Sequence, residues 1–247
     1  MKTLYRYIDI EVTPATVLMY GKHHDPVILD EVEREKVACI SWLDNGGKLK
    51  FKGIWDMPSY KGKWTEKAQK ELAIFMRELL NEADVIIGHN SDNYDIKKIN
   101  SECMYYNLEP PKEPKTYDTL KLAGKYLNEP TRKLGYLSPK YGGEGKLSHE
   151  GYRLYIKSVA GDKEAQKGLR AYNETDVVEG YKFFERFIPW INRDKSTWDN
   201  RVPCPHCGSP ETQSRGTSVT EGGKTRKRHQ CKDCGKWFLG NFIIKRV

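Results

Sequence analysis

The sequence predicts an α/β domain built on a mixed sheet, followed by a small cysteine-rich module. Three observations carry this reading. Segments with strand and helix patterning follow one another as strand, hairpin, helix, strand, helix, strand, helix as far as residue 188, an order that layers helices against a sheet. Two CxxC pairs then occur close to the C-terminus. Charge divides at the same place: residues 201–247 contain ten Lys or Arg against three Asp or Glu, whereas residues 1–200 contain 32 against 31. A compact basic module on a near-neutral body points to a polyanionic partner.

The elements follow from local patterning. Residues 4–12 alternate, with Ile8 and Ile10 on one side and Asp9 and Glu11 on the other, the period of a strand. Residues 35–44, EKVACISWLD, read as a second strand, and Asn45-Gly46-Gly47 is a hairpin signal before KLKFKGI. Residues 65–82 read as a helix capped by Thr65, with Leu72, Phe75, Leu79 and Ala83 at helical spacing. DVIIGHN is a short apolar strand running into a polar loop, and Asp95 opens a helix with Ile96, Ile99 and Cys103 on one face. Residues 116–127 read as a strand turning into a helix. The segment 128–162, with Pro130, Pro139 and the GGEGK stretch at 142–146, predicts helix fragments and an exposed loop. GGEGK does not fit a phosphate-binding P-loop, because Leu147 stands where Ser or Thr is needed. Residues 163–188 read as a last helix ended by Pro189.

Composition narrows the classes. The chain has 247 residues, 38% hydrophobic and 31% charged, and no apolar run approaches the roughly 18 residues that span a bilayer. The N-terminus runs straight into strand patterning without a secretory signal, so a cytoplasmic, reducing setting is expected. In that setting Cys39 and Cys103 are expected to pack as small hydrophobes, and a disulfide framework is not expected.

The chemistry lies in scattered carboxylates. Asp9 and Glu11 are two apart on a strand and share a face; side by side on a mostly apolar strand they repel, unless a cation lies between them or water surrounds both. Asp95 follows a strand through a polar loop, at the strand's C-terminal end, where α/β proteins place ligands. Tyr172 and Asp176 are four apart on one helix face. Singly, each motif has an ordinary explanation: a solvated pair, a helix cap, a polar helix face. Three in order, each at the end or start of a suitable element, point to a site that holds divalent cations.

These motifs resemble those of the DnaQ-like 3′–5′ exonucleases, the DEDD group with an RNase H-like fold, over about residues 4–190. The family's DxE is matched by Asp9 and Glu11. Its Asn-x-x-x-(Phe/Tyr)-Asp is matched by Asn90, Tyr94 and Asp95, in a form similar to family B polymerase proofreading domains and phage-type exonucleases. Its Tyr-x-x-x-Asp is matched by Tyr172 and Asp176. The histidine subclass carries His where this chain has Ala171, so the resemblance is to the tyrosine, or DEDDy, subclass. It implies an RNase H-like mixed five-stranded sheet flanked by helices over 1–192; the polar stretch that follows reads as a linker at 193–200 leading into a separate module at 201–247. It further implies that Asp9, Glu11, Asp95 and Asp176 hold two Mg²⁺ or Mn²⁺ ions, that Tyr172 orients the attacking water, and that Asn90 contacts substrate or supports its loop. The implied products are nucleoside 5′-monophosphates released from a 3′ end.

In the C-terminal module, Cys204-x-x-Cys207 and Cys231-x-x-Cys234 are separated by 23 residues, the spacing of a tetrahedral Cys₄ zinc ribbon. A module this small needs the metal to fold. His206 and His229 lie nearby, but four thiolates already complete the shell. Arg226, Lys227 and Arg228 crowd one arm after a Gly-Gly turn and Trp237 follows the last pair, a combination suited to phosphate contact with base stacking. One of Trp237 and Phe238 is expected to pack the ribbon's own core. The expected partner is nucleic acid, DNA ahead of RNA, with a replication or repair protein as a further partner of the ribbon and no membrane. The alternatives are an RNase H-like endonuclease and a non-catalytic nucleic-acid-binding adaptor.

Overall fold

A computed structural model describes residues 3–21, 27–145, 151–196, 204–219 and 225–242. The His23–His24 pair, Lys146, His149 and the turn around Gly222 and Gly223 lie outside the described residues. The chain divides into two compact units, residues 1–185 and 186–247.

The first unit is organised by a five-stranded mixed sheet of order β5-β4-β1-β6-β7, where β1 is Tyr5–Thr13, β4 Lys36–Asp44, β5 Leu49–Gly53, β6 Val85–Gly88 and β7 Lys115–Asp118. β1 runs antiparallel to β4 and parallel to β6. The expected hairpin joins β4 to β5, with Asn45 and Gly46 in the left-handed conformation that Asn and Gly tolerate best. β4 is buried from Lys36 to Leu43, which fits its unbroken run of apolar and small residues. Two further strands, β2 (Thr16–Tyr20) and β3 (Val27–Glu33), form a separate antiparallel pair between β1 and β4 in the chain.

The two faces of β1 have different jobs. Ile8 and Ile10 enter a core with Leu72, Met76 and Leu80 of α1 (Glu66–Glu82) and with Ile99 and Cys103 of α2 (Asp95–Tyr105). Thr65 caps α1 as expected, accepting the Ala68 N–H at 3.1 Å. Tyr7, Asp9 and Glu11 alternate with these isoleucines and so face the other side. Arg6 fastens the start of the strand. It is 3% exposed, its guanidinium makes paired bonds to Asp44 at 2.6 and 3.0 Å, and it also donates to the Leu79 carbonyl at 2.6 Å. One side chain thereby joins β1, β4 and α1.

The segment 128–162 contains two short helices, α4 (Leu134–Lys140) and α5 (Tyr152–Val159), after α3 (Thr119–Tyr126). Its glycine stretch is only partly the exposed loop that the composition suggests. The Glu144 and Gly145 N–H groups donate to the Glu179 carboxylate at 2.7 and 3.1 Å, and Glu179 is buried. The last helix corrects the sequence reading. α6 runs Lys163–Ser196, through Pro189 and into the stretch expected as linker. A proline inside a helix removes one backbone bond and crowds the preceding turn. Pro189 and its neighbours Ile188 and Trp190 are exposed, so the chain accommodates the ring without displacing packed side chains.

The second unit holds a three-stranded antiparallel sheet of order β10-β9-β8, with β8 Thr212–Val219, β9 Thr225–Cys231 and β10 Trp237–Phe242. Among the described residues, no helix is long and apolar enough to cross a membrane.

Removing one partner of a buried ion pair leaves the other charge uncompensated. Arg6→Ala should therefore lower unfolding free energy by about 3 kcal/mol, read from urea denaturation followed by circular dichroism, whereas Arg77→Ala, whose exposed partner Glu78 is its chain neighbour, should leave it close to the native value.

Candidate functional site

The site forms where β6 stops. β6 pairs with β1 only over Tyr5–Tyr7, so β1 continues beyond its neighbour and its edge groups there need other partners. One comes from the loop after β6: the Asp95 carboxylate accepts the Ile10 N–H at 3.0 Å. Asp95 thus sits against the strand between the two acids of the DxE pair.

That loop is built for the purpose. A Cβ on Gly88 would run into the Ser91 side chain, so glycine lets the chain turn back tightly. Asn90 adopts a left-handed conformation (φ 64°) and its carbonyl accepts from Asn93 and Tyr94. Asp118, at the end of the adjacent strand β7, receives the N–H groups of Asn90 at 2.9 Å and Asp92 at 3.3 Å, and also caps α3 through Leu120 at 2.9 Å. Neither Asp92 nor Asp95 is the N-cap of α2, which is Tyr94. Asp95 is turned toward β1 instead.

The third contribution comes from α6. Leu169, Asn173, Asp176, Val177, Gly180 and Phe184 recur at helical spacing and are buried. This stripe places Asp176 with the strand pair. Asp9, Glu11 and Asp176 each offer a carboxylate oxygen, and the three lie within 4.8 Å of one another. The close approach depends on Gly180, because any Cβ there would overlap the Tyr7 hydroxyl. Tyr172 lies one turn before Asp176, half-buried and close to Tyr155.

Burial and mutual charge set the electrostatics. Burial, reinforced by the Asp118 charge, pushes the Asp95 carboxyl up to about 7, against the lowering effect of the Ile10 N–H and its own. The Tyr7 hydroxyl is raised well above its usual range by burial and then by Asp9 and Asp95. The Cys39 thiol is raised by burial, then by Glu11 and Asp9. The acids are therefore walled by groups that stay neutral at physiological pH.

Three residues at the site escaped the sequence reading. Asn173 donates its amide to Asp9 Oδ2 at 2.7 Å and to the Asp9 carbonyl at 3.2 Å. It stands at an unspecified position of Tyr-x-x-x-Asp, and the signal for it was a polar residue on an apolar helical stripe. Tyr155 of α5 is raised by burial and by a hydrogen bond to Glu11, and it sits in the irregular segment, where no periodicity marked it. Asp118 could have been found as an N-cap residue between a strand and a helix.

A sequence profile of the RNase_H superfamily matches residues 35–188. The chain belongs to the RNase_H superfamily. The match includes Asp95, Tyr172 and Asp176, and β1 with its DxE pair precedes it. Among solved structures, the family B DNA polymerase from the hyperthermophilic archaeon Pyrobaculum calidifontis is similar with a TM-score of 0.57 at 13% identity, over 77% of this chain and 25% of the polymerase chain. The chain matches about a quarter of that polymerase's length, and the likeness is one of fold. No curated protein sequence matches this one. Superfamily membership and the RNase H-like fold support a nuclease acting on nucleic acid.

In the C-terminal unit the Cys204, Cys207, Cys231 and Cys234 sulfurs lie within 4.8 Å of one another, an arrangement that could form a zinc ribbon. The Cys231 thiol accepts the Cys234 N–H, which helps lower it to about 7. Phe238 stacks on buried His229 with ring centres 5.4 Å apart, so it is the aromatic that packs inward. Trp237 is 46% exposed with the Arg228 guanidinium 4.7 Å above its ring. Arg226 donates to the Gly240 carbonyl at 2.7 Å, and Lys227 points to the opposite face of β9 from Arg226 and Arg228. The basic triplet is therefore split between two faces.

The Asp95 carboxyl holds its proton to a higher pH in the folded chain than in the unfolded one, where 3.8 is usual. Its contribution to stability is thus fully present below about pH 4 and is lost as pH rises through about 7. In the absence of divalent ions, Asp95→Asn should melt several degrees above the native chain at pH 8. The gap should close toward pH 4, as followed by circular dichroism.

Proposed function

We propose that the protein is a two-metal-ion 3′–5′ exonuclease of the DEDDy type that releases nucleoside 5′-monophosphates, with DNA as the favoured substrate. The observation that carries this reading is the convergence of Asp9, Glu11 and Asp176 within 4.8 Å, beside a buried Asp95 that bridges to the same strand. Hard carboxylate oxygens suit Mg²⁺ or Mn²⁺. Burial pushes the Asp95 carboxyl up to about 7, and a strongly perturbed acid beside other carboxylates is a mark of a functional site. Asp9, Glu11 and Asp176 suit such an ion, and on this reading Asp95, which lies outside that group of three, completes the four-acid set that the resemblance implies for two ions. When bound, such ions lower the pKa of the attacking water and neutralise the departing 3′ oxygen.

The chain's own groups supply the rest. Tyr172, one turn from Asp176, orients the water for attack on phosphorus. The new O–P bond forms as the bond to the preceding nucleotide's 3′ oxygen breaks, leaving a 5′-phosphate on the released unit and a hydroxyl on the shortened strand. Asn90, at the tight turn after β6, contacts the strand or supports the loop that presents Asp95. The neutral walls of Tyr7, Cys39 and Tyr155 keep water out from beneath the carboxylates, which strengthens their hold on cations.

The second unit, taken as a Cys₄ zinc ribbon, adds a nucleic-acid contact. Its exposed face carries Trp237 under Arg228, a stacking surface beside a phosphate-binding cation. Arg226 lies on the same face and Lys227 on the reverse. On this reading the catalytic domain spans residues 1–192 and the ribbon 201–247.

A 3′-labelled oligonucleotide incubated with Mg²⁺ or Mn²⁺ should yield labelled mononucleotide, and Asp9→Ala or Asp176→Ala should abolish release while leaving the circular dichroism spectrum unchanged. Internal cuts would favour an endonuclease, and unchanged activity in both variants would remove these acids from the chemistry. Purified protein should contain one zinc per chain by elemental analysis. Cys231→Ser should lose that zinc and weaken oligonucleotide binding, with turnover at saturating substrate preserved.

A further inference from the structure

We infer that Asn173 is a positioning residue for metal binding: it locks the Asp9 carboxylate in the orientation in which its oxygen meets those of Glu11 and Asp176. The inference rests on the two-ion reading above. Asn173 is fully buried. Its Nδ2 donates to Asp9 Oδ2 at 2.7 Å and to the Asp9 carbonyl at 3.2 Å, gripping one residue at both its side chain and its backbone. The Oδ1 faces the Cys39 thiol at 3.9 Å. Those partners fix the amide's orientation, because swapping its ends would set an oxygen against a carboxylate and an N–H₂ against an S–H donor.

The geometry bears on ion binding for two reasons. An aspartate on a strand rotates about two side-chain bonds, so its oxygens sweep away from a neighbouring ligand unless something holds them. Glu11 is held through Tyr155, and Asp9 is held through Asn173. Asn173 also stands three residues before Asp176 on α6. The helix that delivers the third carboxylate thus delivers the clamp on the first, so a single rigid element registers the Asp9 and Asp176 oxygens to one another, while Tyr155 of α5 sets Glu11. Groups that orient metal-ligating side chains commonly affect affinity by about 10- to 100-fold.

The test is Mn²⁺ binding by isothermal titration calorimetry, without nucleic acid, on full-length zinc-supplemented protein. Asn173→Ala should weaken Mn²⁺ binding about tenfold or more, with its melting temperature in the absence of Mn²⁺ within a few degrees of the native value. Excess Mn²⁺ should restore most of kcat, and KM for the oligonucleotide should not move. Asn173→Leu, close in volume, should behave the same way. If Asp9→Ala loses Mn²⁺ binding while both Asn173 variants bind like the native chain, the positioning role is wrong and the two-ion site stands. If Asp9→Ala itself binds Mn²⁺ normally, the two-ion site falls. If neither Asn173 variant folds, the residue belongs to the architecture and the inference is overturned.

Discussion

The hydrogen bond from the Ile10 N–H to Asp95 is the constraint on which the rest of the site depends. A strand that outruns its parallel neighbour exposes backbone donors that must find partners. Here the partner is a carboxylate, delivered by the loop that closes the neighbouring strand. The bond fastens the start of α2 to β1 and places a buried acid between two others on the same strand. A sheet edge and a polar loop thus help build a carboxylate site without any long insertion.

The arrangement is electrostatically costly. Burial raises the pKa of acidic groups and nearby negative charge adds to it; Asp95, Tyr7 and Cys39 are each raised first by burial and then by neighbouring carboxylates. The backbone tolerates it because the rest of β1 is heavily anchored. Arg6 ties its start to β4 and α1, Ile8 and Ile10 are packed in the core, and the antiparallel pairing with β4 runs along nearly its whole length. Stability gathered on one face of the strand offsets the strain concentrated on the other.

Much of this was legible in the residues. Alternation in YIDIEV, the Asn-Gly-Gly turn and the capped helix after Thr65 are local signals, and the folded chain keeps each of them. The acids were legible because they stand in spaced motifs. What was not legible depends on tertiary context. Pro189 lies inside a helix because its ring faces outward, a fact of packing that a single position cannot declare. Tyr155 and Asn173 contact the carboxylates only because α5 and α6 pack over β1; the helical stripe marks Asn173 as an inward polar residue, but its partner Asp9 is set by tertiary packing. The β2–β3 pair shows the same limit. Its strands bury little and read without a clear amphipathic pattern, with Tyr20, Ile28 and Leu29 all largely exposed.

Gly180 carries a consequence of its own. The gap between α6 and β1 is gauged by an atom that is missing: with no side chain at 180, the helix backbone rests on the Tyr7 ring. The approach of Asp176 to β1 is therefore calibrated one helical turn along α6, by a residue with no side chain of its own. A designer wishing to retune the site for a larger ion, such as a lanthanide, need not alter a ligand at all; a methyl at 180 pressing on the ring at 7 would act as a spacer.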